Sequence, residues 1–317
     1  MTARSSYGPR SIKRRRRTKA EMAAIREAIH AALAKDHPMS VRGLFYALTT
    51  RGVIAKTEAE YATVKRLTAE MRRSGELPYS WLADGTRWMR KPTTYSSVES
   101  ALERTAQTYR RALWDDAPVA VEVWVEKEAL AGVLVDVTEE WDVPLMVTRG
   151  YPSMSFLYSA AQAIWGRSEH GQLTAIRYFG DWDPSGRDID RSIVKGIGEA
   201  LVSFEGPSTA LIDWGDDDPE STFGAFAHFE RVGVNSKQIA TWNLPTRPTK
   251  TQDPRSKSFM GDSVELDAIP PHQLRTLARQ VVEQHVDQQQ LELLRVAEAE
   301  ERQLLERMAA TVNGGGT

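Results

Sequence analysis

From Val119 to Phe179, short apolar runs alternate with longer stretches of helical periodicity, and this alternation constrains the fold more than any other feature of the chain. The strand-like runs are Val119–Val125, Pro144–Thr148 and Thr174–Phe179, while Glu128–Trp141 and Ser153–Trp165 between them read as helices. Short β-runs separated by helices of that length predict parallel βαβ units. Such a sheet places its functional loops at the C-terminal edge of its strands. The expected fold is therefore α/β, with three loops at one edge: Glu126-Lys127-Glu128, Arg149-Gly150-Tyr151-Pro152 and the turn that begins at Asp181.

Acids stand where that edge would hold a site. Asp181-Trp182-Asp183-Pro184-Ser185-Gly186 follows the apolar run Ala175–Phe179, and Glu126 follows Val119–Val125. Alternate residues of a strand point the same way, so an Asp-x-Asp at its end can present both carboxylates to one cation. Glu126, Asp181 and Asp183 are thus candidate Mg²⁺ ligands for phosphoryl-transfer chemistry. Asp-x-Asp recurs at Asp188/Asp190 and Asp216/Asp218, but only the first copy lies between a strand signal and a Pro/Gly turn. The competing reading is a surface turn in which an Asp caps the next helix, with Pro184 in its first turn.

Residues 19–36 repeat Met22, Ile25, Ile29 and Leu33 at helical intervals, and His37-Pro38 ends the pattern. Ser40 can cap a second helix, Val41–Arg51, closed by Gly52; a third, Glu58–Arg73, stops at Gly75. Trp81–Met89 reads as a hairpin around Asp84-Gly85. Three helices and a β-ribbon give the order of a winged helix-turn-helix. Lys65, Arg66, Arg72 and Arg73 would then face double-stranded DNA from the third helix, and Arg87, Arg90 and Lys91 from the wing. A small helical domain with a solvated basic face gives the same pattern. Ahead of it, residues 1–20 carry eight cations and no acid, among them Arg14, Arg15, Arg16 and Arg17. With a net charge of −2 overall, the rest of the chain stands at about −10. Such an arm is either a phosphate-neutralising segment or a solvated tail.

The expected layout is a basic arm (1–18), a winged-helix domain (19–95), a linker helix (96–118, helical over Ser96–Trp114), an α/β domain (119–270) and a C-terminal helix with a tail (271–317). Ala210–Trp214 and Val264–Asp267 are expected strands, 245–259 an exposed basic loop, and Pro270-Pro271 the start of one long helix reaching Met308. Its thin stripe of Leu291, Leu294, Leu304 and Leu305 suits packing on a partner. Hydrophobic residues make up 41% and charged residues 26% of 317, ordinary for a soluble globular protein. There is neither a long uncharged apolar run nor an apolar signal core, so no membrane association is expected. Cysteine is absent, which excludes disulfides, thiolate nucleophiles and Cys-based zinc sites and fits a reducing cytoplasm.

Glu126 followed two strands later by Asp181/Asp183 in a βαβαβ context resembles the Toprim domain of topoisomerases, primases and some nucleases. Three phrases narrow the resemblance: Val125-Glu126-Lys127-Glu128-Ala129, Gly150-Tyr151-Pro152 and Asp181-Trp182-Asp183-Pro184-Ser185-Gly186. They are similar to the topoisomerase VI A subunit and its relative, the meiotic double-strand-break protein, over roughly residues 38–285. The resemblance implies a winged helix preceding a Toprim domain, and a tyrosine nucleophile in an Arg-x-x-aromatic-Tyr phrase, matched here by Arg42-Gly43-Leu44-Phe45-Tyr46. It also implies a homodimer in which one protomer's tyrosine serves the other's metal site.

On the second helix the apolar stripe is Val41, Leu44, Phe45 and Leu48; Tyr46 falls off it and shares a face with Arg42. Arg42 is the expected phosphate clamp and favours the phenolate, unless the pair is only a surface Tyr stacked on Arg. No ATPase module or GHKL-type phosphate loop is present, so ATP-driven strand passage would need a separate ATPase subunit. The expected function is Mg²⁺-dependent DNA cleavage through a phosphotyrosyl link. The alternatives are a hydrolytic Toprim nuclease without a covalent intermediate, and a non-catalytic DNA-binding protein whose acids only cap helices.

Overall fold

Two seven-residue strands, β1 (Val119–Val125) and β3 (Leu173–Phe179), have six of their seven residues buried, and strands this apolar need cover on both faces. The computed structural model, which describes residues 17–82, 92–205, 220–249, 259 and 261–314, supplies that cover with helices. Strands β2 (Leu145–Val147), β4 (Glu220–Phe223) and β5 (Ala227–Gly233) complete a sheet of order β2-β1-β3-β5-β4. All neighbours are parallel except the edge pair β4/β5. Trp124 pairs with Tyr178 and Val125 with Phe179. The two central strands therefore end level, and Glu126 and Asp181 leave the same edge side by side.

Val121, Val123, Val125, Ala175 and Phe179 pack beneath α5 (Glu128–Glu140) and α9 (Pro271–Glu283). Trp124, Ile176 and Tyr178 face the other way, against α6 (Met154–Ser168) and α7 (Pro184–Glu205). The short α8 (Ser236–Thr241) follows β5. At the N-terminus stand α1 (Lys19–Lys35), α2 (Val41–Thr50) and α3 (Glu58–Arg73). Thr18, Ser40 and Thr57 cap them by accepting backbone N–H bonds. Their buried side chains belong to the same apolar cluster as the α5/α9 side of the sheet, so the helical segment and the α/β part share one continuous core. After a 3₁₀ turn at Tyr79–Trp81, Leu82 bridges to Met39. The remainder of the expected hairpin, with Arg87, lies outside the described residues, as do the strand expected at Ala210–Trp214 and Arg14, Arg15 and Arg16 of the arm.

Elsewhere long-range contacts override local pattern. The linker helix is only α4 (Val98–Thr108), not Ser96–Trp114. Beyond it, Arg302 donates to Tyr109 O at 2.7 and 2.8 Å and Glu298 accepts from Arg111 N–H, so the backbone is bonded to a neighbour instead of to its own turn. The expected single C-terminal helix is broken. Its first part ends at Glu283 with Gln284 as the cap, and Asp287 Oδ1 accepts from Gln289 and Gln290 N–H to start α10 (Gln288–Gly314), which packs along α4. Val264–Asp267 is not a strand: Val264 makes one antiparallel bridge with Trp182, and Leu266–Ala268 is a 3₁₀ turn. None of the described helices is long and apolar enough to cross a membrane.

β4 and β5 escaped the sequence reading because β5 carries His228, Glu230 and Arg231 in the interior of a sheet. Their charges are answered across strands. Arg177 pairs with Glu230, and Arg231 holds Asp190 of α7 through Nε and Nη2, both at 2.7 Å, with both side chains 0% exposed. Arg231 also donates to Gly180 O, Val234 O and Gly186 O. All five guanidinium N–H donors are used. Arg231→Met should therefore cost about 3–5 kcal/mol in denaturant unfolding, because it strands a buried carboxylate. A loss below about 1 kcal/mol would show that the pair is dispensable.

Candidate active site

The end of β1 and the turn after β3 meet through hydrogen bonds. Glu126 N–H donates to Phe179 O at 2.8 Å, and Glu126 Oε2 accepts from Asp181 N–H at 2.9 Å. Two glycines permit the approach. A Cβ on Gly180 would stand 2.9 Å from Glu126 Oε2 and 2.5 Å from the Tyr178 ring; a Cβ on Gly186 would stand 2.0 Å from Asp181 O. Either would force the turn open.

Asp181 Oδ1 accepts from Leu266 N–H at 2.8 Å and lies 2.9 Å from Lys127 Nζ. Asp183 is used differently. Its Oδ1 accepts from Gly186 N–H at 2.7 Å, and Pro184 is the first residue of α7, so Asp183 caps that helix as the competing reading had it. The structure thus brings Glu126 and Asp181 together and commits one oxygen of Asp183 elsewhere. Among the described residues, no three His, Asp or Glu side chains converge in an arrangement that holds an ion.

Burial, reinforced by the charge of Asp181, pushes the Glu126 carboxyl up to about 7. Burial raises Asp181 as well, against the pull of Lys127. Burial alone would discharge Lys127, but Asp267, Asp181 and Glu265 outweigh it and raise its pKa. Lys127 Nζ stands 2.9 Å from Asp267 and 3.3 Å from Glu265. Glu265 in turn meets Arg247 at 2.7 Å and Arg42 at 3.7 Å, and Asp267 accepts from Ser40 Oγ at 2.7 Å. Lys127 therefore ties the sheet edge to the 264–269 segment, and that segment to α2. Sequence reasoning placed Lys127 in an edge loop but gave no role to Glu265, Asp267 or Arg247. Nothing local in the sequence shows that residues 264–269 fold back onto a turn at Asp181.

The surface placement expected for Tyr46 beside Arg42 differs from the one observed. Tyr46 falls off the apolar stripe of α2, yet it is only 4% exposed. A second layer, Asp267–His272, covers that side of the helix and leaves a cavity of about 160 Å³ lined by Tyr46, Met39, Gly43 and Pro271. Burial, with Glu265 adding, raises the phenol well above its ordinary value, and Arg247, Arg42 and Lys127 do not reverse this. Arg42 lies over the Tyr61 ring, 4.1 Å from its centre, while Lys56 is the cation over Tyr46. The phenol is covered, burial outweighs the pull of Arg42 toward the phenolate, and the guanidinium stacks on Tyr61 instead.

Of the expected DNA contacts, Lys65, Arg66 and Arg73 are exposed on α3 and Arg72 is half-buried against Tyr79. Arg66 pairs with Glu70 at 2.7 Å and Arg17 with Glu60 at 2.5 Å.

The raised Glu126 gives a signed pH dependence. As pH rises from the ordinary carboxylate range toward 7, the unfolded chain gives up this proton first, so stability falls across that window and levels off above it. In chelator, Glu126→Gln should remove that part of the decline, making the variant more stable than the parent at pH 8 but not at pH 4. Parallel pH profiles in urea unfolding would overturn this assignment. No protein-family model, curated protein or solved structure matches the chain, which leaves the chemistry of this cluster as the guide to function.

Proposed function

We propose that the chain is a divalent-cation-dependent enzyme that cleaves double-stranded DNA, with a Toprim-type sheet edge as its catalytic centre and a winged-helix-like N-terminal segment that holds the duplex. One observation carries the reading: adjacent parallel strands deliver Glu126 and Asp181 to one edge, where the backbone of one binds the carboxylate of the other. Hard carboxylate oxygens are the donor set that Mg²⁺ takes. Glu126 and Asp181 would hold the ion, with Asp183 adjoining. Mg²⁺ held there would offset the charge that builds on the phosphate and the leaving oxygen. Lys127 keeps the buried acids in place when no cation is bound, and Arg42 and Arg247 add positive charge toward a phosphodiester.

Two versions differ in the nucleophile. Water is favoured by the burial of Tyr46 and its raised pKa. In the transesterase version, which the resemblance to topoisomerase VI implies, the Tyr46 oxygen forms a bond to phosphorus while the bond to the deoxyribose oxygen breaks, leaving protein-linked DNA. That version requires α2 to release its contact with Asp267, and it brings with it the homodimer and the separate ATPase subunit. The helix cap made by Asp183 favours a third reading, a non-catalytic DNA-binding protein.

Incubation with supercoiled DNA and Mg²⁺, with and without protease before electrophoresis, separates the three. Asp183→Asn should abolish cleavage and leave the fold intact, since Asn caps helices as well as Asp does. Tyr46→Phe should retain cleavage with free ends if water attacks, and should lose both cleavage and protein-linked DNA if the tyrosine does. Absence of both cleavage and cation binding in the parent chain would leave only the DNA-binding reading.

The arm offers a separate check. Deleting residues 1–16 removes six cations, so DNA binding should weaken across all sequences, and the slope of log K against log salt should become shallower. An unchanged slope would remove the arm from the interface.

A further inference from the structure

Directly beneath Glu126 lies a hydroxyl with no use in the fold. Tyr178, on β3, is 0% exposed, and its Oη has no hydrogen-bond partner among the described residues. Buried hydroxyls are almost always bonded, so an orphan calls for an explanation. The ring needs no hydroxyl: its neighbours are Phe229, at 5.6 Å between ring centres, and the Arg231 guanidinium, at 5.4 Å, and a phenylalanine would fill the same space.

Its position explains more than its packing does. Trp124 and Tyr178 are register partners, so Tyr178 and Glu126 project from the same face of adjacent parallel strands, one at the sheet edge and the other just below it. Tyr178 Oη and Glu126 Oε2 stand 2.8 and 2.9 Å from one point, the place where a Cβ on Gly180 would be. The absence of a side chain at residue 180 therefore leaves open the space between hydroxyl and carboxylate. Of the other acids near the ring, Asp190 has both oxygens on Arg231, and Asp181 turns Oδ1 to Leu266 N–H and Lys127. Glu126 is the acid whose carboxylate oxygen borders that same space.

We infer that Tyr178 is a positioning residue for Glu126: its Oη donates to the Glu126 carboxylate when that group turns to bind a divalent cation beside Asp181. The inference rests on the metal-centre reading above and adds to it a hydrogen bond from behind the ligand. Such bonds fix a ligating carboxylate in orientation, and their loss typically costs ten-fold or more in metal affinity.

The test is titration of the full chain with Mn²⁺ alone, followed calorimetrically, for the parent, Tyr178→Phe and Glu126→Gln, with urea unfolding of each in chelator. Tyr178→Phe should bind Mn²⁺ about ten-fold or more weakly, while its metal-free stability is equal to the parent's or higher, because an unpaired buried hydroxyl has been removed. A merely structural tyrosine would show the reverse pattern. Equal Mn²⁺ affinity in Tyr178→Phe and parent overturns the positioning role and leaves the metal centre standing. Loss of the fold in Tyr178→Phe also overturns it, since only the hydroxyl is deleted. A parent chain that binds no Mn²⁺, or a Glu126→Gln variant that binds as well as the parent, overturns the metal centre itself and the positioning role with it.

Discussion

The arrangement of this molecule depends on a buried ion pair. Arg231 and Asp190 sit where water does not reach, joined by two 2.7 Å bonds, and a charge in such a place is tolerable only if every donor and acceptor is answered. Arg231 spends its remaining donors on the carbonyls of Gly180, Gly186 and Val234. The first two flank the turn that carries Asp181. The pair thus ties β5 to α7 and at the same time sets the backbone that presents the candidate site. Lysine, with three donors on a flexible stem, cannot reproduce this planar fork.

A second electrostatic constraint works on the other side of the same turn, again among buried groups. Asp181, Glu265 and Asp267 would repel one another if left alone, and Lys127 draws all three together. The consequence is architectural: through Asp267 and Ser40, and through Glu265 and Arg42, the cluster holds α2 against the sheet edge. The residue expected to attack DNA is buried by that same docking. An ion at Glu126 and Asp181, if the proposed centre binds one, would compete with Lys127 for Asp181 and so would couple to the hold on α2 through one amine.

What could be read in advance was local. Helices α1 to α3 lie within a residue or two of their expected limits because Thr18, Ser40, Thr57 and the glycines at 52 and 75 act on their own neighbours. β1, β3 and their helices were legible because a doubly covered sheet needs uninterrupted apolar runs. β5 was hidden because its buried charges register as polar until Asp190 and Arg177 are known to face them. The truncation of α4 depends on side chains nearly 200 residues distant, whereas the break before α10 is set locally by the Asp287 cap. Tyr46 was misjudged because one helix's periodicity reveals only the face it turns to its nearest partner, and here a second layer covers another face.

By itself the sequence determined the α/β class, the edge at which the acids emerge and the pairing of Glu126 with Asp181, since strand period and βαβ connectivity are short-range rules. Tertiary structure alone decided that Lys127 gathers three acids and that Tyr46 is enclosed. It likewise decided that the Tyr178 hydroxyl beneath Glu126 has no hydrogen-bond partner among the described residues. Each of these depends on which distant segment fills the space next to a side chain, and hydrophobic burial and charge pairing settle that only when the whole chain closes on itself.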